Sequence, residues 1–329
     1  MNDIALWNSE QRRELFNTTA LMMKVHPAII EKDFWVCWLL KILFETSKWQ
    51  KSLIFKGGTS LSKVYGIIDR FSEDIDLVLD WRLLGYSEEN PWRATSNTQK
   101  STFVKRSTSR SETFLREVFL PSFQSTIEST SVPGLHLTLE GQIVKILYPK
   151  SFALDAIQPQ VILEIGPLAS WTPHESASVV PYVAEYNPQL FNNSKAKINV
   201  VTAARTFWEK ATILHQEYNR PLNRPMPNRY SRHYYDLYKY IQSAYLQEAM
   251  ANRTLLEQVI RFKNQFYYAA WADLKAALHG KFHLIPPPQR IQPLAKDYAS
   301  MQDMIFQGKA PTFNQILEGL ASLEKDLNT

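Results

Sequence analysis

A pair of glycines and an Asp-Ile-Asp triplet occur together in residues 55–80, FKGGTSLSKVYGIIDRFSEDIDLVLD, and the triplet interrupts an apolar run. Side chains of a β-strand alternate between its faces, so Asp74 and Asp76 should share one face while Ile75 enters a core. Two strand residues span roughly 6 to 7 Å. The two carboxylates can therefore converge on one cation, and a hard divalent ion such as Mg²⁺ or Mn²⁺ offsets their repulsion.

The glycine turn upstream of this strand has the features of a phosphate site. Gly57 and Gly58 allow the backbone to approach a ligand closely, and N–H groups at the start of a following helix suit a phosphate. Three hydroxyl donors follow the glycines: Thr59, Ser60 and Ser62. The turn is not a P-loop, because that motif requires glycine directly before Lys63. A glycine turn alone is commonly just a turn, and an Asp-x-Asp strand alone is commonly a solvated edge strand. Together, they predict a site in which a triphosphate binds beside a metal ion.

A third carboxylate lies in an apolar stretch farther along the chain. Glu164 is the lone charge in VILEIG, residues 161–166, a run typical of a buried strand. It is either a glutamate at a solvated edge or, if its strand pairs beside Asp74 and Asp76, part of a metal site. In the second case the three carboxylates would form the two-metal clamp that stabilises the attacking and leaving oxygens in phosphoryl or nucleotidyl transfer.

The predicted secondary structure changes near residue 200, from mixed helices and strands to helices. Its 329 residues, 45% of them hydrophobic, suffice for a sizeable core and favour two domains. We predict an α+β protein with a mixed sheet in residues 1–200 and an all-helical domain in residues 201–329. The helices predicted for the second domain are 202–218, 231–246, 253–277 and 312–326.

Within the first domain, Asn8 or Ser9 can cap a helix, and a second helix carries an apolar residue every four positions. The members of this one buried stripe are Ile30, Phe34, Trp38 and Ile42. Two runs within 135–148 predict a β-hairpin. The polar stretch 81–111 has few apolar residues and is predicted to be a flexible insertion leading into a helix at 112–124.

Composition limits the class of protein. The single cysteine, Cys37, excludes an internal disulfide and a cysteine-rich metal cluster, so a reducing cytoplasm is the expected location. The most apolar stretch, residues 34–40, is far shorter than the roughly 20 residues of a membrane span. A formal net charge of +5 is compatible with nucleic acid or nucleotide as a partner without requiring either.

The motifs FKGGTSLSKVY and RFSEDIDL resemble the AbiEii/AbiGii toxin family of nucleotidyltransferases, relatives of DNA polymerase β and the MenT toxins. The resemblance implies a polymerase β-like nucleotidyltransferase core. It implies Mg²⁺-dependent transfer of NMP from an NTP by the toxin of a toxin–antitoxin or abortive-infection system, acting in phage defence, with a possible cognate antitoxin. The implied metal ligands are Asp74, Asp76 and Glu164. The implied phosphate-binding residues are Gly57, Gly58, Thr59 and Ser60, with the phosphate-contacting hydroxyl left open between the last two.

The helical domain contains two further elements. Lys210 is the only charge in an apolar helix stripe, so on its own it would be read as snorkelling to the surface. The resemblance implies instead that Lys210 contacts nucleotide phosphate and that Arg205 assists it. The segment SRHYYDLYKY is similar to the family's Asp-x-x-Lys element, which implies that Asp236 acts in catalysis, with a general base as a reasonable role. A helix-to-helix salt bridge to Lys210 would also explain this aspartate.

These inferences give two sets of candidate site residues. The predicted catalytic residues are Asp74, Asp76, Glu164, Lys210 and Asp236. The basic residues predicted to bind substrate, beside the glycine turn and its hydroxyls, are Lys63, Arg70, Arg205 and Lys239.

Basic residues and tyrosines favour RNA as the acceptor. Between Trp81 and Arg116 there are seven Arg or Lys against three Glu. The residues near the Asp-x-x-Lys element that could bind phosphates or stack on bases are Arg220, Arg224, Arg229, Arg232, Tyr218, Tyr230, Tyr234 and Tyr235. Solvated loop charge is the plain alternative. Family relatives suggest tRNA, although no residue specifies a base.

Two other functions fit the same motifs. An enzyme of this fold could transfer the nucleotide to a small molecule or to a protein. The chain could also be a nucleotide- or RNA-binding module without turnover, in which the metal site is structural. Retention of all three acids argues against the binding module, because a decayed site usually loses one of them.

Overall fold

The structure, a computed structural model, describes five ranges of the chain: 1–72, 74–154, 157–169, 172–305 and 310–329. These residues form two compact units. The first unit comprises Met1–Val64 and Ser72–Val201, and the second comprises Tyr65–Phe71 and Thr202–Thr329. The segment Tyr65–Phe71 thus belongs to the second unit, although the sequence division at residue 200 placed it in the first domain.

The helices and strands of the first unit are α1 (Asn2–Leu6), α2 (Ser9–Met23), α3 (Pro27–Lys41), β1 (Leu53–Lys56), α4 (Gly57–Lys63), β2 (Asp74–Leu79), α5 (Asn97–Phe114), α6 (Leu120–Ser129), β3 (His136–Glu140), β4 (Ile143–Leu147), β5 (Gln160–Gly166), β6 (His174–Val179), α7 (Tyr182–Tyr186) and β7 (Ala196–Val201). Short 3₁₀ segments occur at Trp81–Leu84, Asn90–Trp92 and Pro188–Leu190. As predicted, Asn8 caps α2, and it does so through reciprocal hydrogen bonds with Gln11.

In the described part of the chain, seven strands form one mixed sheet in the order β3-β4-β5-β2-β1-β7-β6. The pairs β2–β5 and β1–β7 are parallel, and the other neighbouring strands are antiparallel. Strands β3 and β4 form the predicted hairpin. One face of the central strands is apolar and buried, with the side chains of Leu53, Phe55, Ile75, Leu77, Leu163 and Ile165.

Helix α3 packs against strands β5 and β7 and forms the centre of the core. The four residues of its predicted stripe are buried, but so is every residue from Ala28 to Lys41, so the helix is enclosed on all sides. Its buried polar residues bind backbone groups. Glu31 accepts from the N–H groups of Ser151 and Phe152, and Lys32 donates to the carbonyls of residues 158 and 160. These bonds satisfy charges that burial would otherwise penalise.

The prediction of a flexible insertion at 81–111 is wrong. Helix α5 begins after Ser96, which forms a capping box with Gln99, and a π-helical segment at Leu115–Phe119 joins it to α6. The helix packs through small residues, Ser107 and Ser111, which are buried. A buried helix is predicted from apolar residues that recur every three or four positions. Helix α5 has serine at its buried positions, so its sequence lacks this pattern and the helix was not predicted.

The helices of the second unit are α8 (Ala203–Tyr218), α9 (Ser231–Ile241), α10 (Tyr245–Ala251), α11 (Arg253–Phe266), α12 (Leu274–Leu278), α13 (Pro288–Ala299) and α14 (Phe313–Leu327). The predicted helices 231–246 and 253–277 are each interrupted, and α13 was not predicted because it contains Pro293 and follows a proline run. In the described residues, no helix combines the length and apolar character that a membrane span requires.

Candidate active site

Asp74 and Asp76 lie on one face of β2, as their spacing predicts. Both side chains are half-buried, whereas Ile75 and Leu77 are buried on the opposite face. Strands β1 and β5 flank β2 on its two sides. The two carboxylates therefore lie in the middle of the sheet, which excludes the reading of this strand as a solvated edge.

Glu164 lies beside these aspartates. Strand β5 is parallel to β2, with Asp76 opposite Glu164 and Asp74 opposite Ile162. Neighbouring strands are about 4.8 Å apart, and residues opposite each other project from the same face. The strand pairing on which the sequence argument depended is thus present. We call the surface formed by Asp74, Asp76 and Glu164 the acidic face.

Gly57 brings the backbone against the acidic face. It follows β1 directly, opens the short helix α4 and has a positive φ of 85°. A Cβ atom at this position would lie 1.8 Å from Oδ2 of Asp76. Only glycine combines this backbone conformation with such close approach, so the glycine turn and the Asp-x-Asp strand form one local structure.

Thr59 and Ser60 are buried in the same turn. The hydroxyl of Thr59 donates to the backbone carbonyl of Asp74 at 2.5 Å, and that of Ser60 donates to the carbonyl of Gly57 at 2.8 Å. A hydroxyl has one hydrogen to donate, and each of these two hydroxyls donates it to a backbone carbonyl. Both side chains therefore hold the turn in this conformation. The turn therefore holds the start of β2 in place through Thr59.

Lys63, a predicted substrate ligand, forms a buried ion pair. Its Nζ atom lies 2.8 Å from Oδ1 of Asp33 and 3.6 Å from the ring centre of Tyr182. Burial alone would lower the pKa of Lys63, but the attraction of Asp33 outweighs it and raises the pKa above the usual range. These contacts tie α4 to α3, so Lys63 fixes the glycine turn on the core instead of pointing to the acidic face.

In the second unit, Arg70, Lys210 and Asp236 form a buried ion network. The guanidinium of Arg70 donates to both carboxylate oxygens of Asp236 at 2.7 and 2.9 Å, and Lys210 donates to one of them at 2.7 Å. Burial would raise the pKa of Asp236, but the two cations outweigh it and hold the pKa well below its usual value. The salt bridge that the sequence left as an alternative for Asp236 is present, with Arg70 as an additional partner.

Two other predicted substrate ligands also have carboxylate partners. Arg205 is buried, and its Nε lies 3.1 Å from Glu209 in the next turn of α8. Lys239 is partly exposed and lies 2.8 Å from Asp69. Both residues are thus engaged in ion pairs within the second unit.

Sequence reasoning missed one residue beside the acidic face. Lys56, the last residue of β1, lies directly opposite Asp76. Its side chain therefore shares the face of the carboxylates. Because side chains alternate along a strand, Lys56 should project from the face opposite to that of buried Phe55. That Lys56 neighbours Asp76 follows only from the register of β1 and β2.

The carboxylates of the acidic face fit a hard divalent cation by their chemistry, since Mg²⁺ prefers oxygen ligands and several waters. Because residue 57 is glycine, the space beside the Asp76 carboxylate that a Cβ atom would occupy stays open. Across the described ranges, no group of three or more His, Cys, Asp or Glu side chains is placed to hold a metal ion. As observed, the acidic face is therefore a surface of carboxylates and not a preformed metal centre.

Gly57→Ala is expected to lower any reaction that depends on the acidic face by about a hundred-fold, because the added Cβ must displace Asp76. The positive φ adds strain of about 1–2 kcal/mol. Gly66→Ala is the matched control, since Gly66 has a φ of 60° but no atom lies within 4 Å of the position that an added Cβ would take. Initial rates and thermal unfolding of both variants separate the two effects. Equal loss of rate in both would contradict the proposed contact.

Comparison with known families identifies one match over most of the chain. Residues 38–319 match the model of the family described as nucleotidyl transferase AbiEii toxin, type IV toxin–antitoxin system. A search of curated proteins finds no significant match.

Solved structures also align with the chain. JHP933 from Helicobacter pylori aligns with a TM-score of 0.40 and 13% identity, over 92% of this chain and 91% of that one. The nucleotidyltransferase toxin MenT4 from Mycobacterium tuberculosis aligns with a TM-score of 0.39 and 12% identity, over 95% of this chain and 99% of that one.

Proposed function

The chain belongs to the AbiEii family of nucleotidyltransferase toxins, and we propose that it transfers NMP from an NTP to RNA, with tRNA as the acceptor class. The enzyme is a nucleotidyltransferase of a type IV toxin–antitoxin family, which implies a cognate antitoxin. The observation that carries the proposal is the register of β2 and β5, which sets Glu164 beside Asp76. We place the reaction in the cytoplasm, and its biological role in phage defence.

Mg²⁺ or Mn²⁺ is the cofactor that the acidic face supports. Asp74, Asp76 and Glu164 would hold it through carboxylate oxygens. When bound, the metal would supply positive charge to the attacking and leaving oxygens of the transfer. The residues of this chain set the positions of those carboxylates, through the pairing of β2 with β5 and the contact of Gly57 with Asp76.

The glycine turn is the proposed site of the NTP phosphates. Gly57 and Gly58 open α4, and the N–H groups at the start of a helix make no hydrogen bond within that helix, so they can donate to a phosphate. Thr59 and Ser60 hold this turn through their internal hydrogen bonds. Lys63 acts as a positioning residue, because its ion pair with Asp33 anchors the end of the same helix.

We assign Lys210 and Asp236 to the stability of the second unit. A general base must accept a proton from the acceptor hydroxyl, and its pKa should lie near the working pH. Asp236 is fully buried, binds two cations and has a strongly lowered pKa, so it is poorly suited to that role. Lys210, which donates to Asp236, is engaged in the same network.

The basic residues of α5 support an RNA acceptor. Lys105, Arg106 and Arg110 are exposed on this helix, in the same unit as the acidic face. In the second unit, Arg224 lies 5.9 Å from the ring centre of half-buried Trp271, whereas Arg220, at 4.9 Å from the same ring, is paired with Glu217. Arginines without a carboxylate partner bind phosphates, so Arg224 is the stronger candidate of the two.

Two of the tyrosines expected to stack on bases are excluded from that role. Tyr234 and Tyr235 are buried in α9, with exposures of 1% and 0%. Their rings pack inside the second unit, against Phe313 and Tyr298 respectively. Of the four tyrosines near the Asp-x-x-Lys element that were expected to stack on bases, Tyr218 and Tyr230 therefore remain.

The test is incubation of the purified protein with Mg²⁺, total cellular RNA and each labelled NTP in turn, with Asp76→Ala in parallel. We expect label to enter an RNA band with the wild type alone, and to disappear when EDTA removes the metal. The NTP that supplies the label identifies the donor.

Pyrophosphate release without label in RNA would retain the transfer chemistry and contradict the RNA acceptor. In that case, small molecules and proteins become the acceptors to screen. The absence of all turnover, with NTP still bound, would contradict the whole proposal and favour a binding module.

A further inference from the structure

A cavity of about 380 Å³ lies in the first unit, between helix α5 and the segment 86–94 that precedes this helix in the chain. One wall is a single face of α5, because residues four apart in a helix lie above one another. The residues at this spacing are Thr98, Thr102, Arg106 and Arg110. None of the residues that line the cavity belongs to the acidic face or to the glycine turn, so any ligand bound here is held at a separate place.

The lining of this cavity is basic. The described residues that form it include Arg93, Arg106 and Arg110 but no Asp or Glu. Arg93 has a partner in Glu89 at 3.3 Å, but both side chains are exposed, and such a pair contributes little. Arg106 is exposed and has no carboxylate partner in the described part of the chain. Positive charge concentrated around a concave surface attracts an anionic ligand.

Arg110 and Tyr86 provide fixed donors in the wall. The guanidinium of Arg110 lies over the ring of Tyr86, 4.7 Å from its centre, and donates to the carbonyl of Leu84 at 3.1 Å. This bond positions the guanidinium and leaves other N–H groups of it for a ligand. The hydroxyl of Tyr86 is buried and makes no hydrogen bond within the described residues. A buried hydroxyl without a partner is costly, so a ligand oxygen that accepts its hydrogen is bound favourably.

We propose that this cavity binds a phosphate group of the acceptor RNA, at a site separate from the acidic face. Guanidinium groups match the geometry of phosphate oxygens, and one phosphate accepts several hydrogen bonds at once, here from Arg106, Arg110 and Tyr86. Thr98 and Thr102 are exposed and add hydroxyl donors of the kind that contact nucleic-acid backbones. The inference rests on the proposed function, because it assigns the cavity to the RNA acceptor.

Arg106→Ala tests the site by equilibrium binding of a labelled single-stranded oligoribonucleotide, measured by fluorescence anisotropy in EDTA and without NTP. Loss of one charged hydrogen bond should raise the Kd by about tenfold. It should also reduce the slope of log Kd against log salt concentration by about 0.7, the contribution of one phosphate contact to a single strand. Both changes are expected in the full-length protein, with the fold of the variant checked by circular dichroism.

Arg13→Ala is the matched control for charge. Arg13 is also an exposed arginine on a helix of the first unit, but it lies on α2, outside the cavity. The two variants lose the same net charge, and we expect Arg13→Ala to bind like the wild type. Equal weakening in both variants would overturn the inference, because the overall charge of the protein would then explain the binding.

Tyr86→Phe is a second variant, which removes only the hydroxyl. Because this hydroxyl has no partner within the described residues, its removal should not lower thermal stability. It should raise the Kd for the oligoribonucleotide by about 2- to 10-fold, the effect of one lost hydrogen bond. If Arg106→Ala is unfolded, Tyr86→Phe decides, and an unchanged Kd would overturn the inference.

Two further comparisons define the ligand. A phosphate at the 5′ end and a phosphate within the strand offer the same chemistry, so oligoribonucleotides with a 5′-phosphate and with a 5′-hydroxyl are both measured. An effect of Arg106→Ala on the phosphorylated strand alone identifies a terminal phosphate, and an equal effect on both strands identifies an internal one. Poly-glutamate at the same concentration of negative charge should not displace the RNA. Equal displacement would assign the cavity to an acidic protein segment and overturn the inference.

Failure of the proposed function would look different, because this binding requires neither metal nor turnover. A protein that never transfers label, but whose affinity for RNA falls in Arg106→Ala, would keep the site and lose the transfer reaction. If transfer is observed, Arg106→Ala should raise the KM for RNA and leave kcat unchanged, since the cavity contains no residue of the acidic face. Unchanged KM and Kd for RNA in Arg106→Ala would keep the reaction and overturn the site.

Discussion

Asp76→Ala is expected to lower nucleotidyl transfer by about a hundred- to a thousand-fold, which is the usual effect of removing a group that stabilises transition-state charge. Asp76 is the central member of the acidic face, with Glu164 opposite it on β5 and Gly57 against its carboxylate. Removing it takes away a metal ligand at the point where the glycine turn meets the strand. The measurement is the initial rate of label transfer from NTP.

The same variant should fold. Its strand is held by the buried side chains of Ile75 and Leu77 and by pairing on both sides, none of which the substitution removes. Thermal unfolding by circular dichroism checks this. Asp326→Ala, at an exposed position in α14, is the control and should retain the wild-type rate. Substantial transfer by Asp76→Ala would remove Asp76 from the proposed metal site.

The acidic face could be predicted because its determinants are local. Alternation along β2 places Asp74 and Asp76 on one side without reference to any other strand. Glu164 needed a further condition, namely that β5 lies next to β2. A lone charge in an apolar strand made it a candidate, but the register that sets it opposite Asp76 comes from contacts between distant segments.

The salt bridge between Lys210 and Asp236 was an alternative that the sequence offered, but the other two buried ion pairs could not be predicted. Lys63 pairs with Asp33 and Arg70 pairs with Asp236, and neither pair has a short sequence spacing that would indicate it. The family resemblance implies that Lys210 contacts nucleotide phosphate, and Lys63 and Arg70 are among the basic residues predicted to bind substrate. Tertiary packing gave each of them a buried carboxylate within its own unit.

Asp236→Asn is expected to lower the free energy of unfolding by about 3–5 kcal/mol. The substitution keeps the shape of the side chain but leaves the charges of Arg70 and Lys210 buried without their shared carboxylate. An uncompensated buried charge is more costly than the loss of an ion pair on the surface. Chemical denaturation followed by circular dichroism measures the change. A general base would behave differently, since its replacement would lower the rate of transfer without lowering stability.

Two comparisons make this test specific to the buried network. Asp69→Asn removes the partner of partly exposed Lys239 and should cost about 1 kcal/mol or less. Replacing all three network residues together, by Arg70→Met, Lys210→Met and Asp236→Leu, should recover much of the lost stability, because apolar side chains of similar size need no counter-charge. Recovery of stability in the triple variant would identify the burial of unpaired charge as the cause of the lower stability of Asp236→Asn. A stable Asp236→Asn protein that has lost transfer would contradict the structural role and return Asp236 to catalysis.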